Sequence, residues 1–195
     1  MEGDDVFKDF QGEYIASLVG SLNSIDADKL EAVCNKLIEA HKEGRTVFLI
    51  GNGGSSSTPS HTAGDWAKVL RIRSLCLTDN TPFVTATSND EEYDEIFRDQ
   101  LRVYMRPGDV LIGYSGSGNS ENVIRAVEFA RENGGFTIGM TGNYKGGKGG
   151  RLAKTADIAL VVENESMEHI EDIHLVINHI IKEYLRKHLV METGS

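Results

Sequence analysis

The run Thr46-Val47-Phe48-Leu49-Ile50 breaks off into Gly51-Asn52-Gly53-Gly54, and no other junction in the 195 residues constrains the fold as strongly. The run is too short for a helix and has no polar alternation, so it reads as a strand buried on both faces. The glycines that follow read as a tight turn, with a helix beginning near Ser55 to Thr58. The module returns downstream: a strand over 109–114, the turn Ser115-Gly116-Ser117-Gly118-Asn119-Ser120, and a helix over 121–132. A third run, 136–141, meets Gly142-Asn143, and a fourth, 158–162, precedes a final helix over about 167–187. Segments 74–77 and 84–87 read as further short strands.

Before the first strand the period is helical. Val6, Phe7, Phe10, Tyr14, Leu18 and Leu22 recur at three- and four-residue spacings and mark one apolar stripe. Ser24 and Asp26 are candidate caps for a second helix carrying Leu30, Val33, Leu37 and Ile38, which Glu43-Gly44 ends. Apolar runs alternating with helices predict an α/β fold, a three-layer α/β/α sandwich around a mostly parallel sheet with helices at the N-terminus. Right-handed crossovers would bring the glycine loops together at the carboxyl edge of that sheet. No Pro- or Ser-rich linker divides the chain, so 1–195 reads as one domain; 143–151, with its glycines and lysines, reads as a mobile surface loop.

Both loops are built for a small anion. Glycine lets the backbone approach closely at positive φ, and free N–H groups at a helix start point at the ligand with the helix dipole behind them. Serine hydroxyls donate to phosphate oxygens without bringing charge. Two such loops, each following a buried strand, make phosphate binding the expectation. Neither carries the GxGxxG pattern with an acidic ribose contact, and neither ends in GK[ST], so a monophosphate fits better than a nucleotide. With 30 acidic against 20 basic residues the net charge is −10, which repels polyanions and argues against nucleic acid or an anionic membrane as partner. The phosphate must therefore be held by local donors. Cys34 and Cys76 form no CxxC pair, no basic leader opens the chain, and no apolar run approaches ~18 residues, so a soluble cytoplasmic protein is expected.

Gly51-Asn52-Gly53-Gly54-Ser55, Asn89-Asp90 and Ser115-Gly116-Ser117-Gly118-Asn119-Ser120 resemble the motifs of sugar isomerase (SIS) domains, and within them the phosphoheptose isomerase family. The likeness spans nearly the whole chain. It implies a SIS-type nested fold, a homotetramer with the helices of 1–44 in subunit contacts, and conversion of sedoheptulose 7-phosphate to a manno-heptose 7-phosphate. It also implies that Asn52, Gly53, Gly54, Ser55, Asp90, Ser115, Gly116, Ser117 and Ser120 bind the substrate and its phosphate. The family's zinc site implies His61, Asp65, Glu171 and His179 as ligands. Two of these depart from the pattern, since the family's Glu falls at Asp65 and its Gln at Glu171, and Val69 stands where the family has a basic residue.

Residues four apart share a helix face, so His61 and Asp65 can hold one ion, and Glu171 and His179, eight apart, diverge by only ~80°. Two imidazoles and two carboxylates suit Zn²⁺. An isolated His–x3–Asp pair is more often a solvated helix face; the matching residues on the last helix tip the reading to a metal. His174 reads as structural, and His41, His169 and His188 as surface residues, with His169 near enough to the site to leave a role there open. Isomerisation through an enediolate needs a carboxylate base and an opposing acid. Asp65 or Glu171 is the expected base and His179 the expected acid; the resemblance favours Asp65, and the shorter reach of that side chain keeps Glu171 in contention. A non-catalytic SIS protein that binds a partner, or an isomerase of another sugar phosphate, are the alternative readings.

Overall fold

Val47 and Leu49 enter one apolar cluster while Phe48 and Ile50 enter another, so the first strand is buried on both faces, as its unbroken apolar run requires. The computed structural model describes residues 3–192. In order come α1 (Gly3–Asn23), α2 (Ala27–Lys42), β1 (Thr46–Gly51), α3 (Gly54–Asp65), β2 (Arg73–Cys76), α4 (Thr81–Asp90) and α5 (Arg98–Tyr104). Then follow β3 (Val110–Ser115), α6 (Glu121–Glu132), β4 (Phe136–Gly142), α7 (Leu152–Thr155), β5 (Ile158–Val162) and α8 (Met167–Glu192). The strands pair in the order β2-β1-β3-β4-β5, every pair parallel. Helices α2, α3 and α8 cover the cluster of Val47, Leu49, Leu37 and Ile177; α5 and α6 cover that of Phe48, Ile50, Leu101 and Val127. This is the expected three-layer sandwich. The chain reverses its direction of travel across the sheet between β1 and β3, which opens a crevice at their carboxyl ends.

Local chemistry sets the helix ends. Asp26 accepts a hydrogen bond from the Lys29 backbone N–H at 3.0 Å and so caps α2. Gly44 leaves that helix at φ 67°. Helix α3 runs into one wide π turn over Trp66–Leu70, directly after Asp65, and Arg71 ends it in the left-handed region at φ 58°. On α1, Leu18 and Leu22 pack against the core, while Val6, Phe7 and Phe10 of the same stripe remain 70%, 65% and 62% exposed. No helix among the described residues is long and apolar enough to cross a membrane, and Cys34 and Cys76 are free and buried.

Two expectations need correction, and a third takes a definite form. Residues 84–87 lie inside α4 rather than in a strand: Pro82 starts that helix, and the Val84 N–H bonds back to the Asn80 carbonyl at 3.1 Å. The segment 143–151 is a surface loop, as expected, built of left-handed turns with Gly149 N–H bonded to Gly142 O at 3.0 Å and Lys148 N–H to Asn143 Oδ1 at 2.9 Å. His169 is no surface residue. It is only 6% exposed, with the Tyr14 ring centred 4.1 Å from its own.

Candidate active site

The two glycine loops leave neighbouring strands at the same level, because Gly51 of β1 is in register with Tyr114 of β3. In the first, Gly53 takes φ 55°, a conformation that admits glycine most readily, and so turns the chain into α3. The Ser56 hydroxyl and N–H both bond to the Gly53 carbonyl, at 2.7 and 3.0 Å. In the second loop the Ser115 hydroxyl lies 2.9 Å from that of Ser120 and 3.5 Å from that of Ser117. Gly118 at φ 67° closes the turn. Between the loops lies a cavity of about 250 Å³.

Asn52, Gly53, Gly54, Ser55, Ser115, Gly116, Ser117 and Ser120 all line this cavity, as the sequence leads one to expect. Asp90 is not among its lining residues; it is exposed at the end of α4 and accepts a bond from Asn89 at 2.7 Å. Tyr114, Met167 and Glu171 complete the wall. Glu171 reaches in from the second turn of α8, with Oε1 3.5 Å from the Ser55 hydroxyl. Burial raises its carboxyl above the ordinary 4.5, and the bond from Ser55 opposes that only in part.

Two histidines meet beside α8. His61 Nε2 of α3 and His179 Nε2 of α8 stand 3.1 Å apart, their rings edge to face. Asp65 Oδ2, one turn on from His61, lies 3.6 Å from His61 Nε2. Ligand atoms of His61, Asp65 and His179 all fall within 4.8 Å of one another, the only such group of three or more among the described residues. Two imidazole nitrogens and a carboxylate oxygen, converging on one point, are a donor set suited to a divalent transition metal. Glu171, expected as a fourth ligand, stands outside this trio and lines the cavity instead. Asp65 also accepts a hydrogen bond from Lys182 Nζ at 2.8 Å, which holds its carboxyl below the ordinary carboxylate value.

Sequence reasoning missed the residues that orient these groups. Lys182 follows His179 by three on one helix face, a spacing that would have flagged it. Asn52 is fixed by a reciprocal amide pair with Asn122, at 2.8 and 2.9 Å, and its Oδ1 also accepts from the Tyr93 hydroxyl at 2.9 Å. No sequence signal marks Tyr93. His174, read as structural, is buried with Nε2 3.2 Å from the Thr141 carbonyl oxygen.

The SIS domain family matches residues 12–142 of this chain. A phosphoheptose isomerase of Aneurinibacillus thermoaerophilus is 35% identical over 183 residues, spanning 89% of this chain and 90% of that protein. One from Chlorobaculum tepidum is 36% identical over 184 residues, spanning 89% and 85%. Among solved structures, the phosphoheptose isomerase GmhA from Neisseria gonorrhoeae superposes with a TM-score of 0.86 at 27% identity, covering 92% of this chain and 98% of that one.

Proposed function

The chain belongs to the SIS domain family, as an aldose–ketose isomerase of the phosphoheptose isomerase kind, and from that premise we propose that it converts sedoheptulose 7-phosphate to a manno-heptose 7-phosphate. One observation carries the proposal. The hydroxyls of Ser115, Ser117 and Ser120 and the glycine turn before α3 line one cavity with a single carboxylate, Glu171. The phosphate binds among the uncharged donors of the two loops, at the start of α3, where the helix dipole favours an anion. Asn52, locked by Asn122 and Tyr93, orients a sugar hydroxyl.

Glu171 takes the proton from C1 of the ketose. Its place in the cavity wall and its raised carboxyl both suit a base, whereas Asp65 is engaged by Lys182 and is the weaker acceptor. The protonated Glu171 exchanges with solvent and returns a proton to C2 of the enediolate, while His179, the acid on the far side, gives a proton to O2 and recovers one from O1. His61, Asp65 and His179 fit Zn²⁺ as ligands, and the ion when bound supplies a Lewis acid for the carbonyl. Residues 1–195 act as one SIS domain within a homotetramer; the exposed Val6, Phe7 and Phe10 of α1 support such burial between copies. A solution mass equal to one chain of 21.4 kDa would count against that assembly.

A panel of pentulose, hexulose and heptulose phosphates tests the function. The heptulose 7-phosphate should yield its aldose fastest, and turnover of none of the panel would refute the reading.

A further inference from the structure

Asp65 closes α3 with its carboxylate turned to α8, where two groups meet the same oxygen. Oδ2 accepts the hydrogen bond from Lys182 Nζ at 2.8 Å, and Oδ2 is also the atom 3.6 Å from His61 Nε2. The side chains of Lys182 and Asp65 are only 19% and 23% exposed, so the pair is shielded and unlike a loose surface contact. Both partners sit on helices held by packing: α8 through Ile177, Ile181 and Leu185, and the end of α3 through Trp66.

We propose that Lys182 is the resident cation of the His61–Asp65–His179 cluster, and that a divalent metal engages Asp65 only by displacing the lysine. This rests on the metal-site reading above and extends it to a residue outside the ligand set. A metal shared by His61 and Asp65 must use an oxygen close to His61 Nε2, and the ammonium already holds that oxygen. Ammonium and divalent ion on one oxygen repel each other, and the partial burial of the pair reduces the screening. Lysine is a compact, strongly hydrated charge on a flexible stem, so it can withdraw to solvent and regain hydration there. The ion pair therefore lowers metal affinity without abolishing it. The chain has carried its own counter-charge into the cluster.

The test is the Zn²⁺ affinity of the full chain at fixed pH, measured against a chromophoric chelator. Lys182→Met keeps the aliphatic stem and removes the charge; it should bind Zn²⁺ at least about ten-fold more tightly than the wild type. Lys182→Arg should bind no more tightly than the wild type. Adding His179→Ala to Lys182→Met should erase the gain. Equal or weaker binding by a folded Lys182→Met would overturn the proposal, because lysine would then be supporting the metal ligand rather than competing with it. A gain that survives His179→Ala would overturn it as well. The wild type offers a check that needs no variant: amine acylation at Lys182, mapped by mass spectrometry, should become several-fold faster on saturation with Zn²⁺. Unchanged or slower acylation contradicts displacement. These readouts do not involve turnover, so failure here and failure of the isomerase reading are separable.

Discussion

The carboxylate of Glu171 lies directly over the α-carbon of Gly54: a Cβ at residue 54 would stand 2.1 Å from Oε2 and 2.5 Å from Cδ. Residue 54 must lack a side chain for Glu171 to reach the cavity. Gly54→Ala should leave the fold intact, since the obstructing atoms end a flexible side chain, but it should push the carboxylate aside. A misplaced base costs roughly 100-fold in rate. The loss should fall mainly on kcat, with little change in melting temperature, and steady-state kinetics beside a thermal melt would read both.

Replacing each carboxylate in turn separates their roles. Glu171→Gln should lower kcat/KM by roughly 10³-fold, the scale of a lost general base, and Asp65→Asn by roughly ten-fold. Burial holds the Glu171 carboxyl above 4.5, and the base must be ionised to act, so the rising limb of kcat/KM with pH should fall above that value. A pH profile placing the limb below 4.5, or a larger loss from Asp65→Asn, would reassign the base.

Much of this site could be read from residue order alone. Runs buried on both faces and ending in glycine define parallel strands, and two such strands side by side must present their loops at one edge. The order of residues alone thus puts Asn52 to Ser55 beside Ser115 to Ser120. What failed had physical causes. Val84 and Thr87 carry β-branched side chains in a short apolar stretch, where periodicity cannot separate strand from helix, and Pro82 at the helix start decided the outcome. The divergence of Glu171 from the histidine pair depends on how α8 crosses the loops. Tyr93 reaches Asn52 across 41 positions, a distance that no local pattern encodes.

That contact yields its own expectation. Tyr93→Phe removes one donor from Asn52 Oδ1 but leaves the Asn122 pair in place. The net worth of such a bond is about 1 kcal/mol, so KM for the sugar phosphate should rise about five-fold with kcat nearly unchanged. An unaltered KM would mean that Asn52 is positioned by Asn122 alone.

His174 should make stability depend on acid pH. Burial lowers its imidazole to about 4, against 6.5 for the ordinary group, with the bond to Thr141 opposing only in part. The native state stays neutral between these values while the unfolded chain binds a proton. Stability is therefore full above pH 6.5 and falls as pH drops toward 4, by about 3 kcal/mol in all. Urea midpoints across that range should show the decline in the wild type and a shallower one in His174→Gln.

Turnover in deuterium oxide bears most directly on a carboxylate at the phosphate cavity moving a proton between adjacent carbons. Sedoheptulose 7-phosphate should give an aldose carrying one solvent deuterium at C2, and Glu171→Gln should suppress that incorporation together with the conversion. An aldose formed by Glu171→Gln at the wild-type rate, with its deuterium at C2 undiminished, would contradict the account, because another group would then be carrying the proton.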